Sequence, residues 1–266
     1  MIRIPDQSLP DDAAIKLAEY QAEVNAAVDY AERVALGKKN FENRKSNATF
    51  QTVRATLKSM CNRTRRCMYC EDSVADEVEH IRPKDLYPEV VFVWDNYLYA
   101  CGRCNGGKSN RFMVTTLSGQ LIDVTRKRNA AVMPPADGQA AFINPRFENP
   151  LDYLQLDLLG TFYFQPLAPL GTVDFSRAEC TIEILKLNDR DELIAARSEA
   201  FDAYRDRVIA YDDARHQGAS AADLQHMSDS VRHMRHPTVW AEMKRQRDRY
   251  RELQSLFQRV PEALNW

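Results

Sequence analysis

Between Cys67 and Phe112 the chain reads CMYCEDSVADEVEHIRPKDLYPEVVFVWDNYLYACGRCNGGKSNRF. Two Cys-x-x-Cys pairs, Cys67/Cys70 and Cys101/Cys104, are separated by thirty residues. Four thiolates in two knuckles match the tetrahedral sulfur environment of structural zinc. A closed four-thiolate site keeps no position open for substrate, so zinc held there is a scaffold. Any catalysis must come from the side chains it positions. In Glu79-His80 a carboxylate can ligate Mg2+ or Mn2+, while a neutral imidazole takes a proton from an attacking water. Asn105, directly after the last cysteine, can offer a carbonyl oxygen to the same hard ion. Lys108, one helical turn further on, can point at the same phosphate. Gly106 and Gly107 each cost about 1 kcal/mol inside a helix relative to alanine. They either let a phosphate approach the backbone or belong to an ordinary loop. Asn96, closing Trp94-Asp95-Asn96, can bridge backbone groups across the loop that carries His80, or act as a turn residue.

These side chains need elements that bring them together. Adjacent residues of a strand leave on opposite faces, so Glu79 and His80 share a cleft only if the strand ends there. VADEVEHI reads as a strand, RPKDLYPE as a loop broken by two prolines, VVFVW as a second strand, and a short helix begins near Cys104. Upstream, Leu17, Tyr20, Val24, Ala27, Ala31 and Val34 have the spacing of one amphipathic helix from about Pro10 to Leu36. A capping box at Ser8 and Asp11 would open it and Gly37 would close it. A second helix is expected from Ala48 to Met60. Downstream come an irregular connection from Arg126 to Pro150 and a hairpin turning near Gly160. Helices follow from Arg177 to Leu187, from Asp191 to about His216 and from about Val239 to Phe257, another stopping at Pro237. In the last third, Trp240, Met243, Tyr250, Leu253 and Phe257 read as core, and His216, His226, His233 and His236 as surface residues.

The chain has 266 residues, enough to bury a substantial core without staples. Its 44% hydrophobic and 28% charged residues are those of a globular protein. No apolar run approaches the roughly 18 residues of a membrane span, and the first residues lack a signal-peptide apolar region. No membrane association and a cytoplasmic location are therefore expected. In that reducing compartment paired cysteines point to metal ligation, and the leftover Cys61 and Cys180 to buried or incidental thiols. The net charge of -2 conceals a local excess. Residues 36 to 70 carry nine Lys or Arg against Glu42 alone, beside the motif. Such a patch suits a phosphate backbone, although charge alone favours a solvated helix face.

The ordered set CMYC, EHIRPK, WDN and CGRCNGGK resembles the HNH endonucleases, in their zinc-stapled four-cysteine subset. The resemblance implies a ββα-metal core in which Glu79 and Asn105 hold the catalytic divalent ion, His80 is the general base and Asn96 orients the loop. The chain departs from the commonest pattern in having Glu79 where Asp or His is frequent and Asn105 where His is frequent. Oxygen ligands favour Mg2+ or Mn2+ there. EHIRPKDLYPEVVFVWDNYLYACGRCNGGKS, FINPRFENP and TIEILKLNDRDELIAAR further resemble the subgroup associated with retron and Septu antiphage systems, which implies a partner ATPase.

The expectation is an α+β protein, mainly helical around a small ββα-metal core stapled by a four-cysteine zinc site. Residues 1–60 would form an N-terminal helical region with a basic second helix, 61–115 the nuclease core and 116–266 a mostly helical C-terminal region. The function expected is metal-dependent hydrolysis of DNA. Lys108 and the cations Arg63, Arg65, Arg66, Lys84 and Arg111 would grip the backbone without reading sequence. The alternative is a non-catalytic zinc knuckle that binds nucleic acid or protein, for which Glu79, His80 and Asn105 are dispensable.

Overall fold

Asp29 accepts a hydrogen bond from Glu32 N through its side chain and caps a new helix, so the expected first helix is two. In the computed structural model, which describes residues 1–61 and 65–266, α1 spans Asp11–Asn25 and α2 Tyr30–Arg44. Pro10, not Ser8, precedes α1, without a side-chain cap. Gly37 lies inside α2, where an added Cβ would sit 3.1 Å from Val91 Cγ2, so its bareness serves close packing. α3 runs Ala48–Met60, as expected, and buries Phe50, Val53, Leu57 and Met60.

The strand carrying Glu79 and His80 is β1 (Glu77–His80), and its partner is β2 (Tyr97–Ala100), antiparallel with Glu79 opposite Leu98 and His80 opposite Tyr97. VVFVW is therefore not the second strand. Val91 and Phe92 are buried in the turns leading to β2, where Phe92 meets Tyr20 of α1, so their apolarity reflects core packing. α4 (Gly102–Lys108) follows directly from β2.

Next come a small sheet of β3 (Met113–Thr115), β4 (Leu121–Asp123) and β5 (Gln139–Ala140), with β3 in the middle, and the hairpin of β6 (Leu154–Leu156) and β7 (Phe164–Pro166). Asp157 holds the hairpin turn by accepting from the backbone of Leu159, Gly160 and Thr161. α5 is Val173–Leu185, α6 Asp191–His216, α7 Ala221–Arg232, α8 Pro237–Arg245 and α9 Arg251–Arg259. Pro237 opens α8 instead of stopping a helix, and a short 3-10 turn at Arg247–Arg249 splits the expected last helix. The result is α+β and about half helical. Among the described residues no helix is long and apolar enough to cross a membrane.

One hydrophobic core runs from Leu17 and Phe50 through Tyr97 and Phe142 to Trp240 and Phe257. Buried Arg146 ties the C-terminal half to β2. It donates to the carbonyls of Trp94 and Tyr97, pairs with Asp6 at 3.0 Å and lies over the Trp94 ring. His236 is also buried, contrary to the surface position expected of it, with Nε2 3.5 Å from Asp72.

Candidate active site

The four-cysteine cluster is assembled by two turns. Cys67 and Cys70 sit on a knuckle docked on β2, where Met68 N donates to Tyr99 O. Cys101 is the N-cap of α4 and Cys104 lies in its first turn. All four are buried, with their sulfur atoms within 4.8 Å of one another and Cys70 and Cys101 3.9 Å apart. A tetrahedron of Zn–S bonds would set sulfurs about 3.8 Å apart, so the cluster fits zinc. Arg190, between α5 and α6, donates to Cys104 Sγ at 3.6 Å. Cys61 and Cys180 are buried free thiols outside the cluster, and burial pushes each up to about 12.

His80 ends β1, so its ring reaches the same cleft as Glu79 although strand alternation sends the two apart. Its Nε2 lies 3.0 Å from Val91 O, which Tyr97 Oη also donates to at 2.6 Å. A carbonyl only accepts, so Nε2 carries the hydrogen and Nδ1 of the neutral ring keeps a lone pair. Phe41 and Tyr97 meet the ring edge to face, 4.6 and 5.1 Å between centroids. Burial holds this imidazole well below the usual histidine range, aided by the Lys84 charge and opposed by the Val91 carbonyl. The ring is thus in its basic, uncharged form at neutral pH.

Asn96 makes three hydrogen bonds to the backbone. It accepts from Arg82 N at 2.7 Å and donates to Arg82 O and Val90 O, both at 3.0 Å. Those residues flank the loop between His80 and Val91, and Ile81 N donates to Asn96 O at its root.

The other face of β1 meets α4. Glu77 and Glu79 are two apart on the strand and so share a face, and residues three apart on α4 meet them. Asn105 Nδ2 donates to Glu77 Oε2 at 2.6 Å, while Lys108 Nζ lies 2.6 Å from Glu79 Oε1 and donates to His80 O at 2.8 Å. Lys108 is wholly buried, which corrects the expectation that it reaches for a phosphate. Its ammonium instead compensates Glu79, whose carboxyl burial pushes up and Lys108 pulls down. Glu77 was not singled out from sequence, although strand alternation alone would have put it beside Glu79. With the amide nitrogen of Asn105 engaged by Glu77, its carbonyl oxygen remains as a donor, and Glu77, Glu79 and Asn105 together offer only oxygen. This suits Mg2+ or Mn2+.

A cleft of about 1280 Å³ opens over this floor. One face of α2, with Lys38 and Phe41, and Lys45 at its C-terminal cap form a wall, and Arg54 of α3 joins it. Lys84 reaches in from the loop after His80, half-buried, its ammonium 5.2 Å from the Phe41 ring centroid and without an ion pair among the described residues. The other expected cations lie elsewhere. Arg65 and Arg66 are on the knuckle, where Arg66 donates to Asp72 O and lines a second cavity of about 410 Å³. Arg111 donates to Gly107 O and Ile184 O, closing the end of α4 onto α5. Arg63 falls outside the described residues. At Gly106 and Gly107 an added Cβ would meet nothing within 4 Å, so packing does not require either glycine.

Comparison with known proteins gives one short match. Over 61 residues the chain is 44% identical to the Septu protein PtuB of Bacillus thuringiensis, a span of 21% of this chain and 23% of that protein. The chain thus matches about a quarter of that relative's length. No family model and no solved structure matches.

Proposed function

We propose that this protein is a metal-dependent HNH endonuclease that hydrolyses DNA phosphodiester bonds, the nuclease subunit of an antiphage defence system working beside a partner ATPase. The observation that carries the chemical reading is the tautomer of His80. A base buried at the floor of a cleft, with Nε2 fixed by the Val91 carbonyl, has Nδ1 for a proton. The local identity to a protein named for Septu supports the defence setting.

In the proposed reaction Nδ1 of His80 takes a proton from water as its oxygen attacks phosphorus. The bond from phosphorus to the 3′ oxygen breaks, leaving a 3′ hydroxyl and a 5′ phosphate once that oxygen is protonated from solvent. Asn96 keeps the loop after His80 at the right distance. Lys84 sets a positive charge beside the reacting phosphate. Glu79 and Asn105, with Glu77 beside Asn105, would hold Mg2+ or Mn2+, which supplies charge stabilisation at the phosphoryl oxygens. Gly106, which lines the cleft, leaves room for the phosphate against α4. Lys108 fixes Glu79 and the His80 carbonyl and touches no substrate.

The test is plasmid cleavage by the full chain together with the protein encoded beside it, in Mg2+, Mn2+ or no divalent ion, against His80→Ala. The wild type should cut only with a divalent ion. The variant should lose 100-fold or more, roughly what a general base contributes, while keeping its zinc. Equal cutting by both would remove His80 from the chemistry, and no cutting under any ion with zinc bound would replace the nuclease with a stapled binding module.

A further inference from the structure

The cleft is also lined by a stretch that sequence reading treats as a bare connection, Arg126-Lys127-Arg128-Asn129-Ala130. Its root is fixed. Arg126 donates to Asp85 O, to Tyr30 Oη at 2.8 Å and to Met133 O at 2.9 Å, and its guanidinium lies 5.6 Å from the Tyr30 ring centroid. Asp85, held by Lys38 at 2.7 Å and by Asn110 at 3.3 Å, ties this root to α2 and to the end of α4. Its tip is different. Lys127 and Arg128 are exposed, make no ion pair among the described residues, and line the cleft. Asn129, in the left-handed region at φ 66°, turns the chain at that point.

Both signs of charge line the cleft. Carboxylates stand at Asp76, Glu77 and Glu79, Glu42 and Asp85 are each paired with a lysine, and Lys84, Lys127 and Arg128 make no ion pair among the described residues. A surface that bound only an anion would have no use for the acidic floor, and one that bound only a cation would have no use for the walls. A phosphodiester backbone passing over an ion-holding floor uses both.

Taking the proposed nuclease reading as its basis, we infer that Lys127 and Arg128 form a second phosphate-binding wall of the cleft, so that a nucleic-acid backbone is held beyond the reacting phosphate. The contacts go to phosphates and carry no base preference.

The experiment uses the full chain with His80→Ala as parent, so that DNA stays intact, in Ca2+, with a fluorescein-labelled duplex read by anisotropy over a range of KCl. Each lost phosphate contact takes about 0.9 off the slope of log affinity against log salt. Lys127→Ala with Arg128→Ala should bind more weakly and lower the slope by about 2, with zinc content and thermal unfolding unchanged. Lys39→Ala with Lys58→Ala removes the same charge from exposed positions outside the cleft and should leave the slope alone. An unchanged slope in the first pair, or an equal fall in both, overturns the second wall while wild-type cleavage still upholds the nuclease. A parent that binds no DNA at all removes the nuclease reading and this inference with it.

Discussion

At His80 the folded structure refuses a proton that the unfolded chain accepts. Unfolded histidine titrates near pH 6.5, whereas burial keeps the folded ring neutral well below that. Between those limits the unfolded state binds more protons, so stability falls as the pH drops below about 6.5. Urea midpoints measured from pH 7.5 down to 5.5 should decline in the wild type and flatten in His80→Gln. Identical profiles would mean that His80 is accessible to solvent protons. The residue itself is plain in the sequence, because Glu-His, Asn and Asn stand in order between and beside two cysteine pairs. The fate of Lys108 is not. A lysine near a glycine pair reads as a phosphate ligand, and only the register of α4 on β1 turns it inward to Glu79.

Among the elements, α4 combines an anchored first turn with an open one. Cys101 and Cys104 pin its start, while Gly106 leaves its cleft side bare. Alanine at Gly106 meets no neighbour and removes a poor helix former, so Gly106→Ala should stabilise the fold by about 0.5–1 kcal/mol. If phosphate needs that space, the same variant cuts DNA more slowly. Thermal melts and cleavage rates measured together check this, and undiminished cutting would make the glycines an accident of the turn. Legibility varied between elements for a physical reason. α3 could be read to its ends because Asn47 caps it and its apolar stripe is unbroken. The break between α1 and α2 was hidden because the stripe continues across it, and only the Asp29 cap marks the new start. VVFVW misled because β-forming residues and a buried loop run look alike over five positions.

Taken whole, the molecule wraps the cysteine cluster from both ends of the chain. Thr238, at the start of α8, donates from its hydroxyl and its amide to buried Glu71 next to Cys70, and Arg146 reaches β2 from beyond the small sheet. Arg190 makes the most consequential of these contacts. Four thiolates around Zn2+ would carry a net charge of about −2, and the guanidinium against Cys104 Sγ withdraws part of it from that sulfur. Electron-rich zinc thiolates are the ones that peroxide attacks. Arg190→Ala should therefore release zinc several-fold faster under hydrogen peroxide, followed with a chromogenic chelator, at an unaltered melting temperature. An unaltered release rate would mean the contact does not shield the sulfur. Because Arg190 belongs to the C-terminal half, oxidative lability of the metal becomes a gauge of whether that half is docked, readable without DNA, partner or turnover.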